Sequence, residues 1–260
     1  MKAFIGLLRK DLTIIRNWYL TWFAFMLVGM VGIYVFSVYV SEPSIPVPFL
    51  VMMASLHLLL APLTMLTALN SEGKTQLWLY NPQSSAKLLL SKLSAAAVIQ
   101  LLAQFFILLY AFFVMKILLA NGLIDSYNSF LPVKQGLFMQ LGIFAVAIYF
   151  SVWVIFLWTL YHLLGKYPAI KNFRWLAVLL VWFAFGFLET LLSKTKLFKK
   201  EMFFSVNINI SPKMDYGTHN SWNIVYTDAH IPLLIIGLYA VVAIIVFLLA
   251  SWLLDRKVEV

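Results

Sequence analysis

The chain has 260 residues, of which 63% are hydrophobic and 11% charged, where soluble domains are roughly half apolar and a quarter charged. That imbalance excludes a water-soluble globular fold. The net charge of +9 falls in short segments between long apolar runs, where it sets topology rather than recruiting nucleic acid, and the absence of cysteine excludes disulfides, thiolate metal sites and a cysteine nucleophile.

The first 17 residues predict an amphipathic interfacial helix. Phe4, Leu8, Leu12, Ile15 and Trp18 recur at helical spacing, and Lys2, Arg9, Lys10 and Arg16 offer a polar side. Such a helix is expected to lie flat on the inner leaflet. No small-residue cleavage site precedes the first apolar run, so no removable signal peptide is read.

Six apolar stretches follow, at 18–40, 47–69, 93–119, 135–164, 175–192 and 231–254, each meeting or nearly meeting the ~20 helical residues that cross a bilayer. The fold class expected is therefore all-α and polytopic, with six transmembrane helices over 18–254 behind the interfacial helix 1–17. An even number of spans puts both termini on one side, including the short tail 255–260. Twelve of the nineteen Lys and Arg residues, with all four Arg, share that side, which predicts a cytoplasmic location for it. Five of the remaining lysines crowd into the long outer segment 193–230.

Within the second span, His57 stands among leucines, placed as a neutral side chain bonded to a neighbouring helix rather than as a proton carrier. Pro62, deeper in the same span, predicts a kink. The connection 70–92, NSEGKTQLWLYNPQSSAKLLLSK, is too elaborate for a simple hairpin. Ser71 to Lys74 are turn-forming and charged, Asn81-Pro82 ends any helix before it, and Ser84 and Ser85 are placed to cap a new helix from Ala86. Lys87 and Lys92 then fall at the inner headgroups. A docking knob for a soluble partner and a plain interfacial connector are both compatible with this loop.

On the third span Gln100 and Gln104 share one helix face, as a stripe lining a pathway or as hydrogen bonds joining helices. Lys116 and Glu189 lie near the outer ends of their spans, where they are placed to pair, or Lys116 to snorkel. The segment 193–230 mixes lysines with an alternating pattern in which Phe204, Val206, Ile208 and Ile210 interleave with polar residues, as in a strand. It reads as a gate over an exit or as a solvated basic surface. His219, His230, Asp215 and Asp228 match no standard metal spacing, so no metal is expected.

Taken together, the basic amphipathic start (LLRKDLTIIRNWYLTW), the six spans and the connection EGKTQLWLYNPQSSAKLLLSK resemble the ABC type-2 permeases, the exporters of the type V fold. The likeness rests on the order of parts along the whole chain. It implies the permease subunit of an ATP-binding cassette exporter in a bacterial cell membrane, moving a hydrophobic or amphipathic cargo such as a peptide, lipid or drug. It further implies two ATPase subunits and a second permease chain, identical or sister. Mapped onto this chain, Glu72, Gln76, Trp78, Tyr80, Asn81 and Pro82 of the coupling loop would face the ATPase, with Phe4, Arg9 and Lys10 beside it. His57, Gln100, Gln104 and Glu189 are the candidates to line the pathway.

The chain itself carries no phosphate-cradling motif, since Gly73-Lys74-Thr75 lacks the upstream glycine. It is expected to bind no cofactor, with ATP and magnesium held by the partner, and to be no enzyme by itself. An intramembrane hydrolase needs an activated nucleophile or a zinc motif, and neither HExxH nor an aspartate within a span is present. The alternatives are an ATP-independent secondary transporter or a membrane scaffold or sensor subunit. The first is weakened because Pro62 has no matching break in the other half.

Overall fold

The computed structural model describes residues 2–75, 83–123, 133–168, 170–194, 205–216 and 222–257. A leading helix α1 (Lys2–Ile14) is followed by α2 (Arg16–Val40), α3 (Pro46–Thr75), α4 (Ser85–Ala120), α5 (Val133–Leu164), α6 (Arg174–Ser193) and α7 (Leu233–Lys257). Helices α2 to α7 are the six that are long and apolar enough to cross a bilayer among the described residues. In hydrocarbon a backbone must satisfy its own hydrogen bonds, which is why each apolar run closes into a single helix. The chain is a helical, multi-pass membrane protein.

Apolar side chains gain little from leaving lipid for protein, so helices in a bilayer associate through close packing of small residues and through polar contacts. Both are present. Ala61, Ala96 and Ala147 meet fully buried where α3, α4 and α5 converge, and Ala68, Ala95 and Ala103 pack with Leu60, Ile99 and Ile15. Helix α3 lies at the centre, against α2, α4 and α5, while α7 packs on α5 and α4. Helix α6 stands at the edge, and no residue of its apolar window is buried. It is held by Trp182 and Phe185, whose rings lie 5.4 Å and 4.4 Å from that of Trp153 on α5.

Helix α1 does more than lie on a leaflet. Its Leu8, Leu12 and Ile14 pack on the cluster built from α3 and α4, and Leu7 reaches the cluster holding Ala250 and Leu254 of α7. Helix α1 and the end of α7 therefore lie at one end of the bundle, here called the terminal end. The chain turns from α1 into α2 at Ile15, which is 1% exposed, and the burial of that side chain sets the angle of entry.

Two boundaries depart from expectation. Helix α3 runs on to Thr75 through the turn-forming Ser71 to Gly73, because side-chain contacts described below hold its last turns. Helix α4 begins at Ser85 with Ser84 in the N-cap position, but the Ser84 side chain makes no capping bond.

At the opposite end β1 (Ser205–Tyr216) and β2 (Trp222–Pro232) form an antiparallel ribbon, paired from Ser205 with Pro232 to Tyr216 with Trp222 and irregular between Asn209 and Ser211. The alternation noticed over 204–210 thus marks the start of a longer strand, the 12 residues of β1. The ribbon delays the last helix to Leu233, and β1 contacts α5 and α7.

Candidate functional site

Four charged side chains meet at the terminal end. Lys92 of α4 places its Nζ 2.8 Å from Asp11 Oδ1 of α1 and 2.8 Å from Glu72 Oε2 of α3. Lys10 donates to the other oxygen of Glu72 and lies 3.7 Å from Asp11. Ser91 Oγ donates to Asp11 Oδ2 at 2.6 Å. The side chains of Lys92, Asp11 and Glu72 are only 1%, 2% and 2% exposed, whereas that of Lys10 is 35% exposed.

Two cations and two carboxylates balance, as they must at such burial. An ion withdrawn from water costs several kcal/mol unless partners and hydrogen bonds replace its hydration. The placement follows from the helices. Glu72 sits in the last turns of α3, Ser91 and Lys92 two turns into α4, and Lys10 and Asp11 near the end of α1. The cluster therefore joins α1 to both stems of the 76–82 connection.

Further contacts complete this layer. Asp255, in the last turn of α7, accepts from the Ser85 backbone N–H at 3.2 Å, supplying the N-terminus of α4 with the acceptor and negative charge it favours. Trp158 of α5 donates Nε1–H to Asn70 Oδ1 at 2.9 Å, and its ring lies 4.0 Å from that of His162. Arg174, opening α6, stacks 4.0 Å above the Tyr161 ring. Helices α1, α3, α4, α5, α6 and α7 are thus tied together around the base of one connection.

The expected ATPase-facing residues divide. Glu72 is turned inward and bonded to Lys10 and Lys92, its side chain only 2% exposed. Lys10 shares that bond, Phe4 is half-buried and Arg9 is exposed. Gln76, Trp78, Tyr80, Asn81 and Pro82 lie outside the described residues, as do Phe204, Lys196, Lys199, Lys200 and His219. Lys92, expected at the headgroups, is instead the centre of the cluster. Asp11, Ser91, Asn70, Trp158 and Asp255 carry no signal by local pattern, since each works through a residue far away in the chain.

Two of the expected pathway residues, Gln100 and Gln104, serve as glue between helices, whereas His57, expected to bond a neighbouring helix, bonds its own. Gln100 is fully buried; its Oε1 accepts from Ala61 N–H at 3.2 Å and its Nε2 donates to His57 O at 3.0 Å. Those two groups pair with each other in an undisturbed helix. Pro62 beside them lacks the N–H that would bond Leu58 O and crowds the preceding turn, and the Gln100 amide adds bonds from α4 at that point. Gln104 donates to Gln140 O on α5 at 3.0 Å. His57 is buried, its Nδ1 2.7 Å from Met53 O, with its ring 5.9 Å from that of Trp22.

Glu189 is different, because it lines a cleft. The space between α5, α6 and α7 measures about 940 Å³ and is walled by apolar side chains, many of them aromatic, with Glu189 and Thr190 as polar members. The Tyr239 hydroxyl donates to Glu189. Lys116 does not pair with Glu189; its ammonium lies 5.6 Å from the Phe112 ring centroid on its own helix.

One comparison spans the whole chain. The protein is similar to one from Bacillus subtilis (strain 168), described as uncharacterized protein YhcE, with 28% identity over 260 residues that cover 100% of both chains. No protein-family model matches, and no solved structure matches.

Proposed function

We propose that this chain is the membrane-spanning permease subunit of an ATP-binding cassette exporter, driven by a separate ATPase and moving a hydrophobic or amphipathic cargo. The observation that carries this reading is the buried cluster of Lys10, Asp11, Glu72 and Lys92. A motor that pushes on a connection between two spans needs that connection to be stiffly rooted, since slack at its base would absorb the stroke. Here its stems are joined to each other and to α1 by charge-assisted bonds in a water-poor layer, where such bonds are strong.

In this reading closure of two ATPase subunits around ATP and magnesium displaces the 76–82 connection and α1 together. The displacement passes through the terminal-end layer to α5 and α7 and switches the pathway between two packed arrangements. Two permease chains, identical or sister, complete the assembly. The distribution of Lys and Arg, twelve of nineteen on the terminal side, supports a cytoplasmic location for both termini. The likeness to a Bacillus protein supports a bacterial cell membrane.

The experiment is purification of the tagged chain from its native membranes in mild detergent, with mass spectrometry of whatever co-elutes in stoichiometric amount. A soluble subunit with a Gly-rich phosphate loop is the expected companion. Elution without any nucleotide-binding partner, under conditions that preserve other membrane complexes, would replace this reading by a secondary transporter or scaffold.

A further inference from the structure

We infer that the cleft between α5, α6 and α7 binds a lipid-soluble organic cation, its positive charge held at the Glu189 carboxylate and its apolar body held between aromatic walls. The inference names a cargo class for the exporter reading and rests on that reading only for the direction of movement; binding itself requires no ATPase.

The volume, about 940 Å³, suits a drug-sized molecule, for which sites commonly span roughly 300–1,000 Å³. An acidic residue within a membrane helix is costly to keep and marks function by default. Glu189 lies four residues before the end of α6, about 6 Å inside it at 1.5 Å per residue. Among the described residues it forms no ion pair; its partner is the neutral Tyr239 hydroxyl. The contrast with the terminal end matters, because there each buried carboxylate has two ammonium groups within 4 Å.

A carboxylate facing an apolar cleft, with no cation paired to it among the described residues, is complementary to a cation brought from outside. The walls agree in sign. Tyr149 and Tyr239 stand edge to face at 5.5 Å, and Trp182 and Phe185 also line the cleft; such rings present negative faces that attract cations. Helix α6, one wall of the cleft, has no buried residue in its apolar window, so a ligand arriving from the bilayer is favoured, which selects a diffuse, weakly hydrated charge over a compact one.

The test uses two probes of matched shape and opposite charge. The full chain, reconstituted in nanodiscs of zwitterionic lipid, is titrated with radiolabelled tetraphenylphosphonium and, separately, tetraphenylborate. Saturable binding of the cation and not the anion is expected, weakened at least about tenfold in Glu189→Gln. Glu189→Asp should retain the preference for the cation, and Glu42→Gln, at an exposed carboxylate on the α2–α3 turn, should change nothing. Unaltered elution and melting of the variants confirm that they fold. Equal binding of both ions, or cation binding indifferent to Glu189→Gln, overturns the inference. So does a self-interface: because the chain has no cysteine, Phe187→Cys offers a single cross-linking point on this face, and complete cross-linking between two copies with exclusion of the cation would mean that a second chain fills the cleft. None of these outcomes depends on whether an ATPase co-purifies, so the two readings fail separately.

Discussion

Lys92 and Asp11, 81 positions apart in the chain, meet at 2.8 Å in a layer almost closed to water. The same ammonium holds Glu72, so one lysine neutralises two carboxylates that would otherwise repel each other across the junction of α1, α3 and α4. Lys92→Met should lower stability by about 3–5 kcal/mol, the usual loss when one partner of a buried ion pair is removed. Asp11→Asn should cost less, because Lys92 keeps Glu72 and the amide still accepts from Ser91. Thermal unfolding of the purified chain ranks the two, and a reversed order would mean that Asp11, not Lys92, organises the layer.

The spans were legible because hydrocarbon imposes one rule on every residue in a run. The ribbon was half legible, through the alternation of Val206, Ile208 and Ile210. The ion cluster was not, and the reason is physical. Asp11 among Lys10, Arg9 and Arg16 has the pattern of a solvated basic flank, and Lys92 beside a run of leucines has that of a headgroup lysine. Only when α1 folds back onto α4 does burial turn these ordinary charges into mutual partners. Glu72 misled for a related reason, since its position beside turn-forming residues suggested an exposed loop, while Lys10 and Lys92 draw it inward and let α3 continue to Thr75. Gln100 and Gln104 were legible as a shared face, and their partners on α3 and α5 decide between a pathway and glue.

Gln100 makes a sharp second prediction. Its amide spans Ala61 N–H and His57 O beside Pro62, so Gln100→Ala should cost about 1–2 kcal/mol by removing two bonds between α3 and α4 in a dry interior. In a Pro62→Ala background residue 62 regains an N–H for Leu58 O and the crowding of that turn is relieved, and the same Gln100→Ala change should cost clearly less. Unfolding of the four proteins in a double-mutant cycle reads the difference. Purely additive effects would show that Gln100 does not compensate for the proline.

Under the exporter reading, Trp78→Ala or Pro82→Ala should break the link between motor and membrane while leaving the bundle folded, since neither belongs to the helices described. Aromatic anchors are frequent hot spots at protein interfaces. The expected phenotype is ATP hydrolysis without transport, or loss of the ATPase during purification. Lys92→Met should give the same phenotype by another route, a loosened root rather than a lost contact, and would then retain the co-purifying subunit. Full transport in both loop variants would remove the docking role from this connection.

Gly73 and Trp158 set the last prediction, in which two opposing effects can be weighed. Glycine inside a helix costs about 1 kcal/mol relative to alanine, so Gly73→Ala in α3 should stabilise if there is room. There is little: a Cβ at position 73 would lie 3.0 Å from Trp158 Cζ2. The indole is poorly placed to yield, because Asn70 holds its Nε1–H at 2.9 Å, the His162 ring lies 4.0 Å away, and Trp158 is only 6% exposed. Overpacking of this kind costs about 1–3 kcal/mol, which outweighs the propensity gain, and Gly73→Ala should lower the Tm. Trp158→Phe removes both the bond to Asn70, worth about 1 kcal/mol, and the atoms that crowd position 73. Adding Gly73→Ala to Trp158→Phe should therefore raise the Tm instead of lowering it. That change of sign, read from thermal unfolding of the two pairs, separates a steric lock between α3 and α5 from a general weakness of the helix end, which would depress both pairs alike.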